Sequence, residues 1–270
     1  MSIGDNTADL VRFLSLERLA TFERITGSIT EAISLHQQTL RLGSQIMLVT
    51  AVIEVALRNA VYENIEAFFQ KPDWLINPPQ SLKWEDSEKA KITKALKDSR
   101  RAIYAKMSQT QKRNLNTLAF PNGVIPLSYS GKLGHKRIVV KRQEQISPTM
   151  GQVVSQLTFF FWKRMFAKEY EHVLWHKFLK SLFPDRSLTR TDVATQLEYI
   201  YQSRNRVAHH EPVYGVRLQN TISAIDFIIN NFDGKDESGT PHIGRLLSED
   251  FAALKTASNE LDTRIAAFKV

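Results

Sequence analysis

The 270-residue chain contains no cysteine. This absence excludes disulfide bonds, thiolate metal ligands and a cysteine nucleophile, and it is typical of a protein that works in a reducing cytoplasm. The sequence also lacks a long uninterrupted apolar run, because its most apolar stretch, residues 46–57, is too short to span a bilayer and contains Glu54. The N-terminus has no pattern of a secretory signal. We therefore expect a soluble, cytoplasmic protein with no membrane partner.

Positive charge is in excess over the whole chain. The formal net charge is +8 and the sequence pI is about 9.6. Such a balance favours a polyanionic partner such as nucleic acid, through neutralisation of phosphates and electrostatic steering. Basic enzymes without nucleic-acid substrates are common, so composition alone does not decide the partner.

Helical periodicity dominates the pattern of apolar residues and predicts an all-α protein. Ser15 is placed to cap one helix, and Ser28 with Glu31 forms a capping box at the start of a long helix reaching Phe69. One face of the long helix carries Ile46, Val49, Ile53, Leu57, Val61 and Ile65. Further helices are predicted at about 84–113, 151–184, 191–210, 215–232 and 248–268.

A different pattern interrupts the helices at residues 116–148. Turn residues and the β-branched run Ile138–Val140 predict an irregular loop or a small β-hairpin there. We interpret the chain as one domain, with an N-terminal helical half (1–115), this insertion (116–148) and a C-terminal half (149–270).

Five cations of the insertion are candidate contacts to an RNA backbone, with a solvated loop as the equally open alternative. They are Lys132, Lys136, Arg137, Lys141 and Arg142.

The densest group of titratable residues lies in the string RNRVAHHEP, from Arg204 to Pro212. Arg204 continues the apolar stripe of a helix, and Asn205 and His209 are four residues apart on a neighbouring face. Pro212 disfavours helix at the residue before it, so the two histidines are expected in the final turn. There the negative end of the helix dipole favours imidazolium, which suits acid/base catalysis. An ordinary cationic helix terminus explains the same pattern.

This string resembles the Abi-like (abortive infection) branch of the HEPN superfamily. The superfamily signature is an arginine, a polar residue that is often asparagine, and a histidine after four to six intervening residues. Here these residues are Arg204, Asn205 and His209. Three other segments resemble the same family in the same order, namely residues 14–25, 52–65 and 158–184.

The resemblance implies a helical bundle that cuts RNA without a metal or other cofactor, as a toxin-like, anti-phage effector. HEPN nucleases typically form homodimers in which two such motifs share one cleft, and related systems suggest a protein or RNA antitoxin. RNA supplies its own nucleophile, the 2′-OH, so the site needs an acid/base group and cations for the phosphorane. The alternative is a non-catalytic RNA-binding or protein-interaction module with the same bundle.

Several neighbouring residues carry open alternatives. His210 is either a second functional histidine or part of the helix terminus. Glu211 either orients an imidazole or forms a solvated ion pair with Arg206. Glu54 and Arg58 are spaced as an i,i+4 pair, and together with Asn59 they either brace the motif helix or line its cleft.

Two tempting patterns are interpreted as structural. The aromatic run at 157–162 is dense enough to be core rather than a base-stacking platform. His172 and His176 have the spacing of metal ligands on a helix, but the string lacks the general-base glutamate of a zincin, and no third ligand is evident. We therefore predict no metal site.

Overall fold

A computed structural model describes residues 3–131, 133–235, 237 and 239–268. This part of the chain is built from helices and contains no β-strand, only an isolated bridge between Lys235 and Pro241. The prediction of an all-α protein is confirmed. The helices are α1 (Ile3–Leu14), α2 (Leu16–Thr26), α3 (Ile29–Phe69), α4 (Asp86–Lys106), α5 (Gln109–Asn114), α6 (Asn116–Ala119), α7 (Gly134–Glu144), α8 (Met150–Val154), α9 (Phe159–Arg164), α10 (Arg190–Ala208), α11 (Gly215–Asn231) and α12 (His242–Ala267).

The chain divides into two compact units. The first contains residues 1–61 and 165–270, and the second contains residues 62–164. Helix α3 runs from the first unit into the second. These boundaries do not coincide with the segments 1–115, 116–148 and 149–270 defined from the sequence.

In the first unit, α3 supplies a fully buried face. Ile46, Val49, Ile53 and Leu57 are at most 1% exposed, as the periodicity predicts. Helix α10 comes close to α3 at Gly43, where an added Cβ would lie 3.1 Å from Val207 Cγ1. Only the absence of a side chain allows this approach without displacing Val207.

Helix α10 is joined to α11 by a buried polar contact. The hydroxyls of Ser203 and Thr221 are 2.6 Å apart. The Thr221 hydroxyl donates its one proton to the Arg217 carbonyl, so Ser203 is the donor in the bond between the two hydroxyls. Both residues are buried, and the pairing satisfies groups that would otherwise be costly to bury. The C-terminal end of α10 is therefore held between α3 and α11.

The second unit has an aromatic core. Trp84 lies between Trp74 and Phe161, with ring centroids 5.8 and 5.9 Å apart, and its indole nitrogen donates to the Leu75 carbonyl over 3.2 Å. Phe161 and its neighbour Trp162 are fully buried, so the aromatic run is core, as expected. Glu88 is also buried in this unit and pairs with Arg164 over 2.9 Å.

The predicted β-hairpin is wrong. Residues 134–144 form α7, whereas the described residues between α6 and α7 and those after Glu144 are irregular, apart from short 3₁₀ turns at Pro121–Gly123 and Leu127–Tyr129. Long basic and amide side chains, which favour helix, surround the β-branched run Ile138–Val140. Helix packing also outweighs strand propensity there, since Ile138 and Val139 are half-buried and Arg142 bonds to Asn116 of α6.

The segment predicted as helix at 151–184 is broken into short pieces. Helices α8 and α9 are followed by a 3₁₀ turn at Lys168–Tyr170, a π-helical turn at Glu171–Trp175 and another 3₁₀ turn at Leu179–Leu182. The predicted helix at 248–268 begins earlier, at His242 directly after Pro241.

Among the described residues, only α3 is long and apolar enough to cross a membrane by length and composition. Its most apolar 18-residue window has a mean hydropathy of 1.6 and is 39% buried within the protein. A core helix of a soluble protein and a signal sequence pass the same test, so one such helix is weak evidence for a membrane span. The cytoplasmic location stays a prediction.

Candidate functional site

The helix that carries the motif ends sooner than predicted. Helix α10 stops at Ala208, so His209 is the C-cap residue and His210 lies just outside the helix, with φ 57°. The amide of His210 donates to Val207 O over 2.9 Å, and that of Glu211 donates to Arg206 O over 2.8 Å. This pair of bonds is a Schellman motif, with a histidine in the left-handed position that glycine usually occupies. A histidine in this conformation is strained relative to glycine.

Arg204 is held on both sides by polar partners. Its guanidinium lies 3.8 Å from Glu54 Oε2 of α3, with side-chain exposures of 30% for Arg204 and 17% for Glu54. It also donates a long hydrogen bond, 3.4 Å, to Asn205 Oδ1. These contacts restrict the guanidinium while leaving part of it accessible to solvent.

Glu54 therefore lies beside the motif helix, but its partner differs from the predicted one. The sequence favours an i,i+4 pair with Arg58, whereas the carboxylate faces Arg204. In the described part of the chain, no group hydrogen-bonds to the buried Nε of Arg58. Asn59 is exposed. Of these three described residues, Glu54 is the one that pairs with the motif.

Both motif histidines are exposed at the end of α10. Within the described ranges, no residue hydrogen-bonds to the His209 imidazole, so the ring is accessible to a ligand. Glu211 does not orient either ring. Its carboxylate pairs with Arg206 over 3.1 Å, and both side chains are substantially exposed, at 49% and 39%. This is the solvated ion pair considered from the sequence.

Sequence reasoning missed the contribution of α2. Arg18 donates from a terminal guanidinium nitrogen to the carbonyl of His210 over 3.2 Å. Phe22, one turn later, contacts the rings of His36 and Tyr214 at centroid distances of 5.8 and 5.7 Å. Thus α2 and the start of α3 support the strained turn after α10. The only available signal was that Arg18 and Phe22 fall within the first family-like segment.

His36 is a buried, uncharged group behind this turn. It is 2% exposed, and no described residue hydrogen-bonds to its Nδ1. Burial lowers the pKa of His36, and the nearby charge of Arg18 lowers it further. His36 therefore contributes packing and polarity to the site rather than positive charge.

The predicted RNA-binding cations separate into two groups. Lys136, Arg137 and Lys141 are exposed on α7, and a hydrogen bond to Glu144 raises the pKa of Lys141, which keeps it cationic. Arg142 instead points inward, donating to Asn116 Oδ1 over 2.8 Å and to the Tyr104 hydroxyl over 3.5 Å. Arg142 thus has a structural role, and Lys132 lies outside the described residues.

The candidate metal ligands do not form a cluster. His172 and His176 are exposed, with ring centroids 5.6 Å apart, and His176 lies 3.9 Å from Glu171. No group of three or more His, Asp or Glu side chains that could hold a metal occurs in the described residues. The metal-independent mechanism stays a prediction.

Comparison of the chain with family models, with curated proteins and with solved structures finds no match. The family resemblance therefore rests on the quoted residues alone.

Proposed function

We propose that this protein is a metal-independent endoribonuclease of the HEPN type. The observation that carries the proposal is the end of α10, where Arg204 is held by Glu54 and Asn205 while His209 is exposed at the capped terminus. Cleavage of RNA by its own 2′-OH requires cations for the phosphorane and acid/base groups for two proton transfers, and Arg204 and His209, five residues apart, supply one group of each kind.

In this mechanism the 2′-OH attacks the adjacent phosphorus, forming a 2′,3′-cyclic phosphate as the 5′-oxygen leaves. His209 takes the proton of the 2′-OH or supplies the proton to the leaving oxygen. Arg204 binds the non-bridging phosphate oxygens, which gain charge in the phosphorane, and Asn205 orients its guanidinium. Glu54 acts through Arg204 as a positioning residue.

Two proton transfers need two acid/base groups, and the motif supplies one histidine of the signature. We propose that a second copy of the chain supplies the other, in a two-fold homodimer whose motifs face one cleft. His210 is the candidate for the second group within one chain, since it is exposed beside His209.

The family resemblance supports a cellular role as a cytoplasmic, toxin-like effector of abortive infection, restrained by a protein or RNA antitoxin. One observation favours the alternative of a non-catalytic RNA-binding or interaction module. Arg204 already has a protein counter-ion in Glu54, so the presence of an arginine at this position can be explained by the structure of the bundle alone.

Product analysis tests the proposal and separates it from the alternative. Purified protein is incubated with a labelled single-stranded RNA in excess EDTA, with DNA of the same sequence as the control. We expect RNA fragments with 2′,3′-cyclic phosphate and 5′-hydroxyl ends, because the 2′-OH is the nucleophile, and no cleavage of DNA. Intact RNA at high protein concentration would support the non-catalytic module, and cleavage that EDTA abolishes would contradict the mechanism.

A further inference from the structure

The exposed cations of α7 line a groove together with apolar and aromatic side chains. The groove has a volume of about 590 Å³ and is lined by Ser128, Tyr129, Leu133, Lys136, Arg137, Val140 and Lys141. Leu133 is 65% exposed and Val140 is 38% exposed. Phosphate contacts alone need only the cations, so the apolar and aromatic side chains beside them indicate a ligand with both an anionic and an apolar or aromatic part.

The groove is held in shape by the loop that precedes α7. Gly134 packs against the backbone of Tyr129 so closely that an added Cβ would lie 1.6 Å from the Tyr129 carbonyl oxygen. The Tyr129 ring makes an edge-on contact with buried Phe120, with centroids 5.3 Å apart. These two contacts restrict the position of Tyr129, and such restriction reduces the entropic cost of binding a ligand against its ring.

We propose that this groove is a nucleotide subsite. The base packs against Tyr129 and the aliphatic groups of Leu133 and Val140, while Lys136 and Arg137 bind the phosphate. Every base has an aromatic face, and single-stranded nucleic acids are bound in this way by aromatic side chains combined with a basic surface. The choice of a nucleotide over other apolar anions rests on the proposed function.

An RNA strand and a free mononucleotide share this chemistry. An RNA strand fits the chain's net charge of +8 better, because a strand carries many phosphates and a mononucleotide carries one. Lys141 is partly neutralised by Glu144, at 3.1 Å, so Lys136 and Arg137 are the principal phosphate ligands.

The test measures binding of a labelled single-stranded RNA by fluorescence anisotropy, using His209→Ala protein so that the RNA stays intact. Tyr129→Ala should weaken binding by at least about fivefold, since aromatic stacking contributes roughly that much or more for each base. Tyr129→Phe should bind as the parent does. Joint replacement of Lys136 and Arg137 by alanine should reduce the slope of log K against log salt by about 1.4.

An abasic strand of equal length provides the matched control for the base. It should bind more weakly than the normal strand, and its affinity should be unaffected by Tyr129→Ala. Because Tyr129 also contacts Phe120, Leu133→Ser on the exposed wall gives a second variant that keeps the fold, and it should weaken only the base-containing strand. Equal binding by the parent, Tyr129→Ala and Leu133→Ser proteins would overturn the proposal.

Competition identifies the source of the nucleotide. Displacement of the RNA by millimolar UMP or AMP, weakened in Tyr129→Ala, assigns the groove to free nucleotides, whereas no displacement assigns it to an RNA strand. The subsite would be overturned if Tyr129→Ala weakened binding to phosphatidylglycerol vesicles but left the affinity for RNA unchanged. If binding depends on the base but the native protein cleaves no RNA, the proposed ribonuclease activity is wrong and the proposed nucleotide subsite stands. If the native protein cleaves RNA but binding does not depend on the base, the subsite is wrong and the ribonuclease activity stands.

Discussion

The contact between Glu54 and Arg204 should be energetically coupled, and the coupling can be measured with a double-mutant cycle. At 3.8 Å and an effective dielectric constant of about 20, the direct attraction is about 4 kcal/mol. The two side chains are only 17% and 30% exposed, so loss of hydration offsets most of this attraction. A coupling of about 1 kcal/mol should remain, which is larger than the median exposed pair gives.

Urea unfolding of the native protein, Glu54→Gln, Arg204→Gln and the double variant gives the coupling energy. Each single change should lower the free energy of unfolding by about 1–2 kcal/mol, because it leaves a half-buried charge without its partner. The matched control is the same cycle on Arg206 and Glu211, which are more exposed and should be coupled by less than about 0.5 kcal/mol. Equal coupling in the two cycles would refute the assignment of Glu54 as the group that holds Arg204.

Three further predictions concern His36, Arg142 and the oligomeric state. Acidification below a pH of about 6.5 should destabilise the native protein more than it destabilises His36→Gln. Burial lowers the pKa of His36 in the folded chain, so the histidine takes up a proton more readily in the unfolded chain, and this favours unfolding as the pH falls. Thermal melts from pH 7.5 to 5 check this, and parallel curves would contradict it. Arg142→Ala should cost about 1–2 kcal/mol through its lost bonds to Asn116 and Tyr104, whereas exposed Lys136→Ala should stay within about 0.5 kcal/mol in the same urea assay. Sedimentation should show a homodimer at micromolar concentration, and a fully active monomer would exclude the shared cleft.

Local sequence signals predicted the supporting helices well. Ser15 caps α2 by accepting a hydrogen bond from the Arg18 amide, and the apolar periodicity of α3 matches its buried face. These features depend on residues three or four apart, which a sequence displays directly. Pro212 predicted the end of α10 near the two histidines, and His209 is exposed there, but the helix stops at Ala208, two residues before the predicted end.

Contacts between distant residues could not be predicted in this way. The bond from Arg18 to the His210 carbonyl joins residues 192 positions apart, and the pairing of Glu54 with Arg204 replaces the local pair that spacing favours. The structure of the insertion also could not be predicted from local sequence. A run of three β-branched residues favours a strand, but packing against neighbouring helices outweighs this preference in α7. Tertiary packing thus decided both the partners of the site and the structure of the insertion.

The most direct test of the central claim compares RNA cleavage by the native protein and by His209→Ala. His209 is exposed at the helix terminus, so its replacement should leave the circular dichroism spectrum and the sedimentation behaviour unchanged. We expect cleavage to fall by at least about 100-fold, since general acid/base catalysis contributes that much or more. His172→Ala, which removes an exposed histidine outside the motif, should cleave normally. Full activity in His209→Ala, or its unfolding, would show that these histidines are a helix terminus and not an active site.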